Sequence, residues 1–517
     1  MRIGIDVGGT HTDAVLVDSA RIVASCKELT SADVLSGVKA ALANLANQTG
    51  GLPQLDAVML GTTQFTNAVV ERRELAEVAA IRIGLPSGRG LPPGAGWPED
   101  IRECLGNGTY ALPGGFLYDG KPLAAASPAE TERVIADIAA KGITNVAISS
   151  AFSPANAEPE LRLAEQIQKA IPAACITLSH QVGRLGLLER ENAAMLNASL
   201  KPFAQRVVDA FKGALKEFGI AAPLFISQND GTLMDAKFVR EFPALTFSSG
   251  PTNSLRGAAR LTGIEDAIVV DIGGTTSDIG VLRDGFPRES NRAVDVGGVR
   301  TNFRMPDIMA VGLGGGSLVA EDGRIIGPHS VGHRLVTEAL VFGGSTLTAT
   351  DIVVAAGMVE VGDPSKVADL PRETVTNALA TMRAIIEDNI RLMKPDKQPL
   401  PVILVGGGAI LAPKDLSQAS EVVTPENSGV ANAIGASIAL VGGEAEIFAD
   451  FRAEPREVAV DRAKDQARQV AISAGGATDT MRVTEIEETP IPYMDDGVTR
   501  IRVKMVGDLA GLLEQRA

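Results

Sequence analysis

The chain reads as an α/β protein of two similar lobes, followed by a small α+β segment. Two observations predict this. A strand, a tight glycine turn and a second strand occur twice with nearly the same residues, as Asp6-Val7-Gly8-Gly9-Thr10-His11-Thr12-Asp13 and as Asp271-Ile272-Gly273-Gly274-Thr275-Thr276-Ser277-Asp278. Around each copy, apolar strand-like runs alternate with helical periodicity, the rhythm of a largely parallel or mixed sheet covered by helices. The boundaries read as 1–185 for the first lobe, 186–445 for the second and 446–517 for the C-terminal segment.

The elements follow in order. Arg2–Ile5 and Ala14–Val17 are strands flanking the first turn. Ser31 is placed to cap a helix running from Ala32 toward Gln48 and ending at Gly50-Gly51. Strand Asp56–Leu60, helix Phe65–Glu74 and strand Val78–Ile83 come next. The Gly- and Pro-rich stretch 86–123, with Trp97, reads as an insertion or lid. Helix Ala129–Ala140, strand Asn145–Ser149, helix Glu158–Ala170 and strand Cys175–Leu178 complete the first lobe. Leu187–Phe218 is a long connecting helix with a break expected before Pro202. Strands Leu224–Ser227 and Leu245–Phe247 precede a helix opened by Ser248-Ser249-Gly250-Pro251 and running to Leu261. After the second turn, Pro371–Met393 is an amphipathic helix, Val402–Val405 a strand entering Gly406-Gly407-Gly408, and Ser428–Val441 a small-residue helix. Asp461–Ser473 is a helix, and Met481–Ile486 and Arg500–Val506 are strands.

Composition narrows the class. The 517 residues are 45% hydrophobic and 21% charged, with 4% aromatics, so the cores are built from Ala, Val, Ile and Leu. A net charge of −15 argues against a nucleic-acid surface, which needs basic patches. Cys26, Cys104 and Cys175 are scattered and form neither a disulfide framework nor a CxxC knuckle, which suits a reducing cytoplasm. The N-terminus enters a strand at once, with no signal peptide, and no apolar run approaches the ~20 residues of a membrane span.

The repeated turn carries the chemistry. Adjacent glycines let the backbone take positive φ and approach a ligand closely. Successive N–H groups then form an anion-binding concavity. Gly8, Gly9, Gly273 and Gly274 are therefore nucleotide-phosphate candidates, with Thr10, Thr12, Thr275 and Thr276 as hydroxyl donors. Asp6 and Asp271 end the preceding strands, where a carboxylate can hold hydrated Mg²⁺ or orient a water. Both are catalytic candidates. Asp278 is a further metal candidate; it and Asp13 either ligate through water or cap loop N–H groups. His11 either donates to phosphate and exchanges protons, or fills loop space. Thr62, Thr63 and Asn67, at a helix start, can hold an anionic substrate or simply cap the helix. Gly406, Gly407 and Gly408 offer bare backbone to adenine and ribose, or form an ordinary turn. Gly315 and Ser317, in Gly312-Leu313-Gly314-Gly315-Gly316-Ser317, either cradle substrate or belong to a flexible loop. His329 and His333 have the spacing of a helical metal pair, although Gly332 disfavours a helix there.

The order of these motifs resembles the actin/sugar kinase/heat-shock-protein-70 ATPase superfamily, and within it the hydantoinase A / 5-oxoprolinase family. The residues that carry the resemblance are Arg2–Thr10 with Thr12-Asp13, Gly61-Thr62-Thr63 with Asn67–Arg72, Ser249-Gly250-Pro251 with Gly257-Ala258, Asp271–Asp278, Gly312–Ser317 with Gly327-Pro328, Gly406–Gly408, and Ala431–Ala436. His11 departs from the family, which usually has Phe there, and so does His329–Arg334. The resemblance implies two actin-like (ribonuclease-H-like) lobes around a nucleotide cleft, with ATP and Mg²⁺ as cofactors. It implies an ATP-dependent hydrolase opening a cyclic amide, of hydantoin, 5-oxoproline or lactam type, by phosphorylating its carbonyl oxygen. It also implies a B-type partner subunit in a homo- or hetero-oligomer. A nucleotide-driven reactivating ATPase or a small-molecule kinase of the same superfamily is the alternative.

Overall fold

The computed structural model describes residues 1–510 except 20, 31–33, 118–119, 291–292, 304, 396, 439 and 492–497. The first hairpin pairs β1 (Arg2–Val7) with β2 (His11–Asp18), and β3 (Arg21–Leu29) continues antiparallel beside β2. Helix α1 (Val34–Thr49) leads to β4 (Ala57–Thr62), parallel to β1, and to α2 (Gln64–Val70). The expected cap Ser31 lies outside the described residues. Helix α2 stops short of Glu74, because Arg72 and Glu74 adopt left-handed φ of 56° and 62°.

A four-stranded parallel sheet follows: β5 (Val78–Leu85), β6 (Thr109–Pro113), β7 (Asn145–Ser150) and β8 (Cys175–Leu178), in the order β6-β5-β7-β8. Helices α3 (Pro128–Lys141) and α4 (Glu158–Ala170) connect its strands. The stretch 86–123 is therefore not a lid. It supplies the edge strand β6 and buries Trp97, Ile101 and Leu105 in the main core, with Trp97 Nε1 donating to Asn192 Oδ1 at 2.8 Å.

Helix α5 (Leu187–Glu217) runs unbroken through Pro202. Proline removes one backbone donor, but every residue from Arg190 to Lys201 is buried and locks the helix in place. Its polar groups are paired. Glu191 accepts from Arg82 Nε at 2.7 Å and from Ser149 Oγ at 2.7 Å, and Lys201 donates to the Ile176 carbonyl at 2.8 Å. Strands β9 (Leu224–Ser227) and β10 (Leu233–Asp235) then rejoin the first sheet. The expected strand Leu245–Phe247 is instead part of a 3₁₀ turn, Pro243–Thr246, closed by Thr246 Oγ1 on the Pro243 carbonyl.

Helix α6 (Ser249–Thr262) opens the second sheet. The second hairpin pairs β11 (Ala267–Ile272) with β12 (Ser277–Arg283), and β13 (Ile308–Val311) lies antiparallel to β12. After α7 (Arg372–Met393), β14 (Leu400–Val405) runs parallel to β11 and β15 (Ala419–Val423) parallel to β14. The two lobes thus share one plan: an antiparallel hairpin whose first strand pairs with a later parallel strand.

The expected helix 428–441 is only α8 (Ala431–Ala436). Ser437 closes it by donating to the Ile434 carbonyl, and the chain becomes β16 (Leu440–Asp450). Helix α9 (Arg456–Ser473), β17 (Arg482–Pro490) and β18 (Val498–Asp508) follow. They are no separate appendage. Among the described residues the first sheet has nine strands, in the order β17-β18-β16-β10-β9-β4-β1-β2-β3. The C-terminal strands, and β9 and β10, extend the first lobe's sheet rather than following the linear division of the chain.

Strand alternation fixes the faces. Ile3, Ile5 and Val7 of β1 enter the main core, so Gly4 and Asp6 face the other way, onto α8 and α6. In β11, Ile268, Val270 and Ile272 pack toward α7, while Ala267 and Val269 pack toward α6 with Leu255 and Ala258. Helices α6 and α8 therefore form the layer between the sheets. They cross so closely that a Cβ on Gly257 would lie 1.8 Å from the Ala431 oxygen, and one on Gly435 would lie 1.8 Å from the Asn253 oxygen.

That crossing makes an opposite-sign pair of predictions for calorimetric unfolding. Gly257→Ala is expected to lower stability by about 1–3 kcal/mol or more, as overpacking does. Gly213→Ala, on an exposed turn of α5 with open space around the new methyl, is expected to raise it by up to about 1 kcal/mol.

Candidate functional site

The two hairpins are equivalent to the level of single hydrogen bonds. Gly8 N donates to the His11 oxygen at 3.0 Å, and Gly273 N to the Thr276 oxygen at 2.9 Å. Asp6 lies opposite Asp13 across the first ladder, and Asp271 opposite Asp278 across the second. None of the four turn glycines has a positive φ, contrary to the sequence expectation. Their use is spatial. A Cβ on Gly9 or Gly274 would meet nothing within 4 Å, so these backbones are bare toward open space. The strained position lies elsewhere, at Gly406, whose φ is +85° and whose Cβ would fall 2.2 Å from Asp271 Oδ1.

Both hairpins open onto one cleft of about 270 Å³. Gly8, Thr10, His11 and Asp13 line it from the first lobe. Asp271, Gly273 and Gly274 line it from the second, with Gly315, Gly406, Gly407 and Gly408. The 312–317 loop is rigidly attached rather than flexible. Gly315 N bonds the Gly273 oxygen at 3.0 Å, Gly316 N bonds the Gly274 oxygen at 2.7 Å, and Thr350 Oγ1 holds the Gly315 oxygen at 2.8 Å.

Other expected site residues lie away from the cleft lining. The Thr12 hydroxyl is buried against Thr30 at 3.1 Å beneath α1, facing away from the cleft lining. Thr275 is half-buried and Thr276 exposed, both outside the lining. Ser317 is buried, accepts from Gly314 N at 2.8 Å and lies outside the cleft lining, so it braces its own loop. Thr62 is buried and accepts from Gln64 N, Thr63 donates to the Val7 oxygen, and exposed Asn67 donates to Thr63. These three sit at the end of β4 beside the first loop. His329 lies in the strand Ile326–Ser330 and His333 in the 3₁₀ turn Gly332–Arg334, both exposed, so they share no helical face.

Asp6 is 4% exposed and held from both helices of the central layer. Asn253 Nδ2 of α6 donates to Oδ1 at 2.9 Å, and Asn432 Nδ2 of α8 donates to Oδ2 at 3.1 Å. Asn432 Nδ2 also reaches Asp13 Oδ2 at 2.7 Å. Burial pushes the Asp6 carboxyl up to about 6, against the pull of these amides. Gly61 is required beside it, since a Cβ there would lie 2.0 Å from Asp6 Oδ1. Burial likewise raises Asp271, opposed by the Ser254 hydroxyl of α6 and by Lys27. Asp278 is pushed up to about 7 by burial and by the Asp271 charge. Burial and the Lys27 charge lower His11, which lies 3.2 Å from Thr10 Oγ1 and is thereby kept neutral near pH 7.

Sequence reasoning missed Lys27, Asn253, Ser254 and Thr350 as site residues, and placed Asn432 only within a motif. Asn253 is four residues after Ser249 at the start of α6, and Asn432 follows Ala431 at the start of α8. The polar residue at the first turn of a small-residue helix was the available signal.

Two matched hairpins across one cleft, with a two-helix layer behind them, define the class: an α/β protein whose two sheets repeat one hairpin plan around a shared cleft. The model of the hydantoinase/oxoprolinase N-terminal region matches residues 2–171, and the hydantoinase/oxoprolinase model matches residues 190–390. The chain belongs to the hydantoinase/oxoprolinase family. It is 27% identical over 393 residues to the caprolactamase subunit alpha of Pseudomonas jessenii, covering 70% of this chain and 55% of that one. It is 27% identical over 401 residues to the acetophenone carboxylase gamma subunit of Aromatoleum aromaticum, covering 69% and 53%. The chain thus spans about half the length of the curated relatives it matches. In fold it is similar to the crystal structure of the ATP-dependent caprolactamase from Pseudomonas jessenii, with a TM-score of 0.76 at 19% identity over 98% of this chain and 87% of that one. It is also similar to a nucleotide-free acetone carboxylase structure, with a TM-score of 0.66 at 18% identity over 98% and 88%. Among the described residues no helix is long and apolar enough to cross a membrane.

The raised carboxyls set a pH dependence. Asp278 has an ordinary value of 3.8 and a folded value of about 7. Its contribution to stability is therefore complete below about pH 4 and is lost as the pH rises through 7. Without divalent cations, Asp278→Asn is expected to raise the melting temperature at pH 8 and to leave it unchanged near pH 4. An equal effect at both values contradicts the assignment.

Proposed function

We propose that this chain binds ATP between its two hairpin loops and uses it to activate the carbonyl oxygen of a cyclic amide, of hydantoin, 5-oxoproline or lactam type, as the A-type subunit beside a B-type partner. One observation carries the reading: both Asp-x-Gly-Gly-Thr hairpins, from opposite sheets, open onto the same cleft. Family membership supports the chemistry, and the relatives' names support its setting, since one is the alpha subunit of a caprolactamase and another the gamma subunit of a carboxylase.

The cleft suits a nucleotide. Bare backbone at Gly9, Gly274 and Gly407 leaves room for phosphates and ribose to lie against N–H groups. The transfer joins the amide oxygen to the terminal phosphorus while the bond from that phosphorus to the ADP oxygen breaks. Ring opening then consumes water and releases phosphate. Such a transfer depends on positioning and on neutralising charge, which fits a site of loops, amides and carboxylates.

The donor set also fits magnesium. Among the described residues no group of three His, Cys, Asp or Glu is gathered to cage a metal. Mg²⁺ in phosphate sites uses one or two carboxylates, waters and the phosphates themselves, and the Asp271/Asp278 pair supplies the carboxylates. Asp271 and Asp278 would hold the magnesium, which would supply positive charge to offset that of the phosphates. Asp6, with both oxygens occupied by amides, is left to orient a water or the reacting oxygen, and His11 is left as a neutral donor or acceptor beside Thr10.

ATP turnover measured with hydantoins, 5-oxoproline and lactams, with and without the partner subunit, tests the reading. Stimulation by one of these rings, release of ADP and phosphate, and loss of stimulation on chelating magnesium are expected. Asp271→Asn should reduce turnover by about 100-fold or more, the usual effect of removing one charge-positioning group. A stable phosphoester product would instead make the protein a kinase, and slow turnover indifferent to every ring would make it a nucleotide-driven factor.

A further inference from the structure

The two hairpins differ in what lies beside their outer aspartates. In the first lobe β3 sets Lys27 opposite Asp13, whereas in the second β13 sets Ala310 opposite Asp278. Lys27 Nζ lies 2.6 Å from Asp13 Oδ1 and 3.2 Å from the Gly429 carbonyl oxygen, in the loop just before α8. It is 37% exposed while Asp13 is 4% exposed, so the ammonium stands at the cleft side of a buried carboxylate. Among the described residues lining the cleft it is the one Lys or Arg.

A half-exposed ion pair on a sheet edge adds little stability. Placement here matters more. A phosphate chain entering this cleft meets the loop N–H groups, the carboxylates of the second lobe and a single permanent cation. Lysine is a flexible point charge with three donors. Asp13 keeps its bond from Asn432 Nδ2 at 2.7 Å when Lys27 turns away.

We propose that Lys27 is the cation that receives the terminal phosphate of the bound nucleotide, exchanging Asp13 for a phosphate oxygen as the nucleotide enters. The inference rests on the nucleotide reading above. It divides the labour between the lobes: the first presents the positive charge to the transferring group, and the second presents the carboxylates to magnesium. Lys27 moves no proton; it donates hydrogen bonds and offsets charge.

Calorimetric titration of the full chain with ADP and with AMPPNP, in magnesium, tests it. Lys27→Gln is expected to weaken AMPPNP binding by about 10- to 100-fold, the value of a charge-assisted hydrogen bond. ADP binding should change by less than about threefold. Lys27→Arg, which keeps charge and fold, should recover most of the AMPPNP affinity. Equal losses for the two nucleotides in Lys27→Gln, or no loss in either, would overturn the role of Lys27 while leaving nucleotide binding intact. Binding of neither nucleotide by the unsubstituted protein would overturn the nucleotide reading, and this proposal with it.

Discussion

The crossing of α6 and α8 is the constraint on which the site depends. Two helices approach at Gly257 and Gly435 with no room for a side chain between them. Each helix is pinned to a different sheet: α8 against Gly4, Val15 and Val17 of the first, α6 against Val269 and Leu282 of the second. The crossing therefore sets the separation of the two hairpins. It also brings Asn253 and Asn432 onto Asp6, so that one carboxylate from the first lobe is held by amides anchored in the layer shared with the second.

The four aspartates show what this achieves. Buried carboxylates near one another repel and take up protons; of the four, Asp13 and Asp271 line the cleft, and Asp6 and Asp278 lie behind them across the two ladders. In the first lobe two amides and Lys27 absorb the charge of Asp6 and Asp13. In the second, burial raises both Asp271 and Asp278, and the charge of Asp271 adds to the rise of Asp278. The lobes differ in their cation: Lys27 pairs with Asp13 in the first, whereas Ala310 stands opposite Asp278 in the second.

Much of the fold was legible because it rests on local pattern. The repeated hairpin, helices 158–170 and 372–393, and strand 175–178 follow from periodicity and turn residues alone. The departures have tertiary causes. Pro202 failed to break α5 because twelve successive buried residues override one missing donor. The C-terminal strands could not be assigned to the first sheet, since pairing Leu233 with Val441 is a contact across two hundred residues of chain. At the cleft, the places of Gly8, Gly273, Gly274, Asp271 and Gly406–Gly408 were readable from the motifs. The facing of Thr12 and Ser317 was not, because a hydroxyl next to a glycine loop points inward or outward according to strand pleat and loop packing. Lys27 and Asn253 were invisible for a related reason: Lys27 reaches Asp13 across a strand ladder, and Asn253 reaches Asp6 across the layer between the sheets.

A structure of the complex with magnesium and a nonhydrolysable ATP analogue tests the central claim most directly. The account predicts one nucleotide between the lobes, with backbone N–H groups of Gly8–Thr10 and of Gly273–Thr275 both about 2.7–3.2 Å from oxygens of the same phosphate chain, and with the base against Gly406–Gly408. Phosphates held by a single hairpin, or a nucleotide bound outside the cleft, would contradict it.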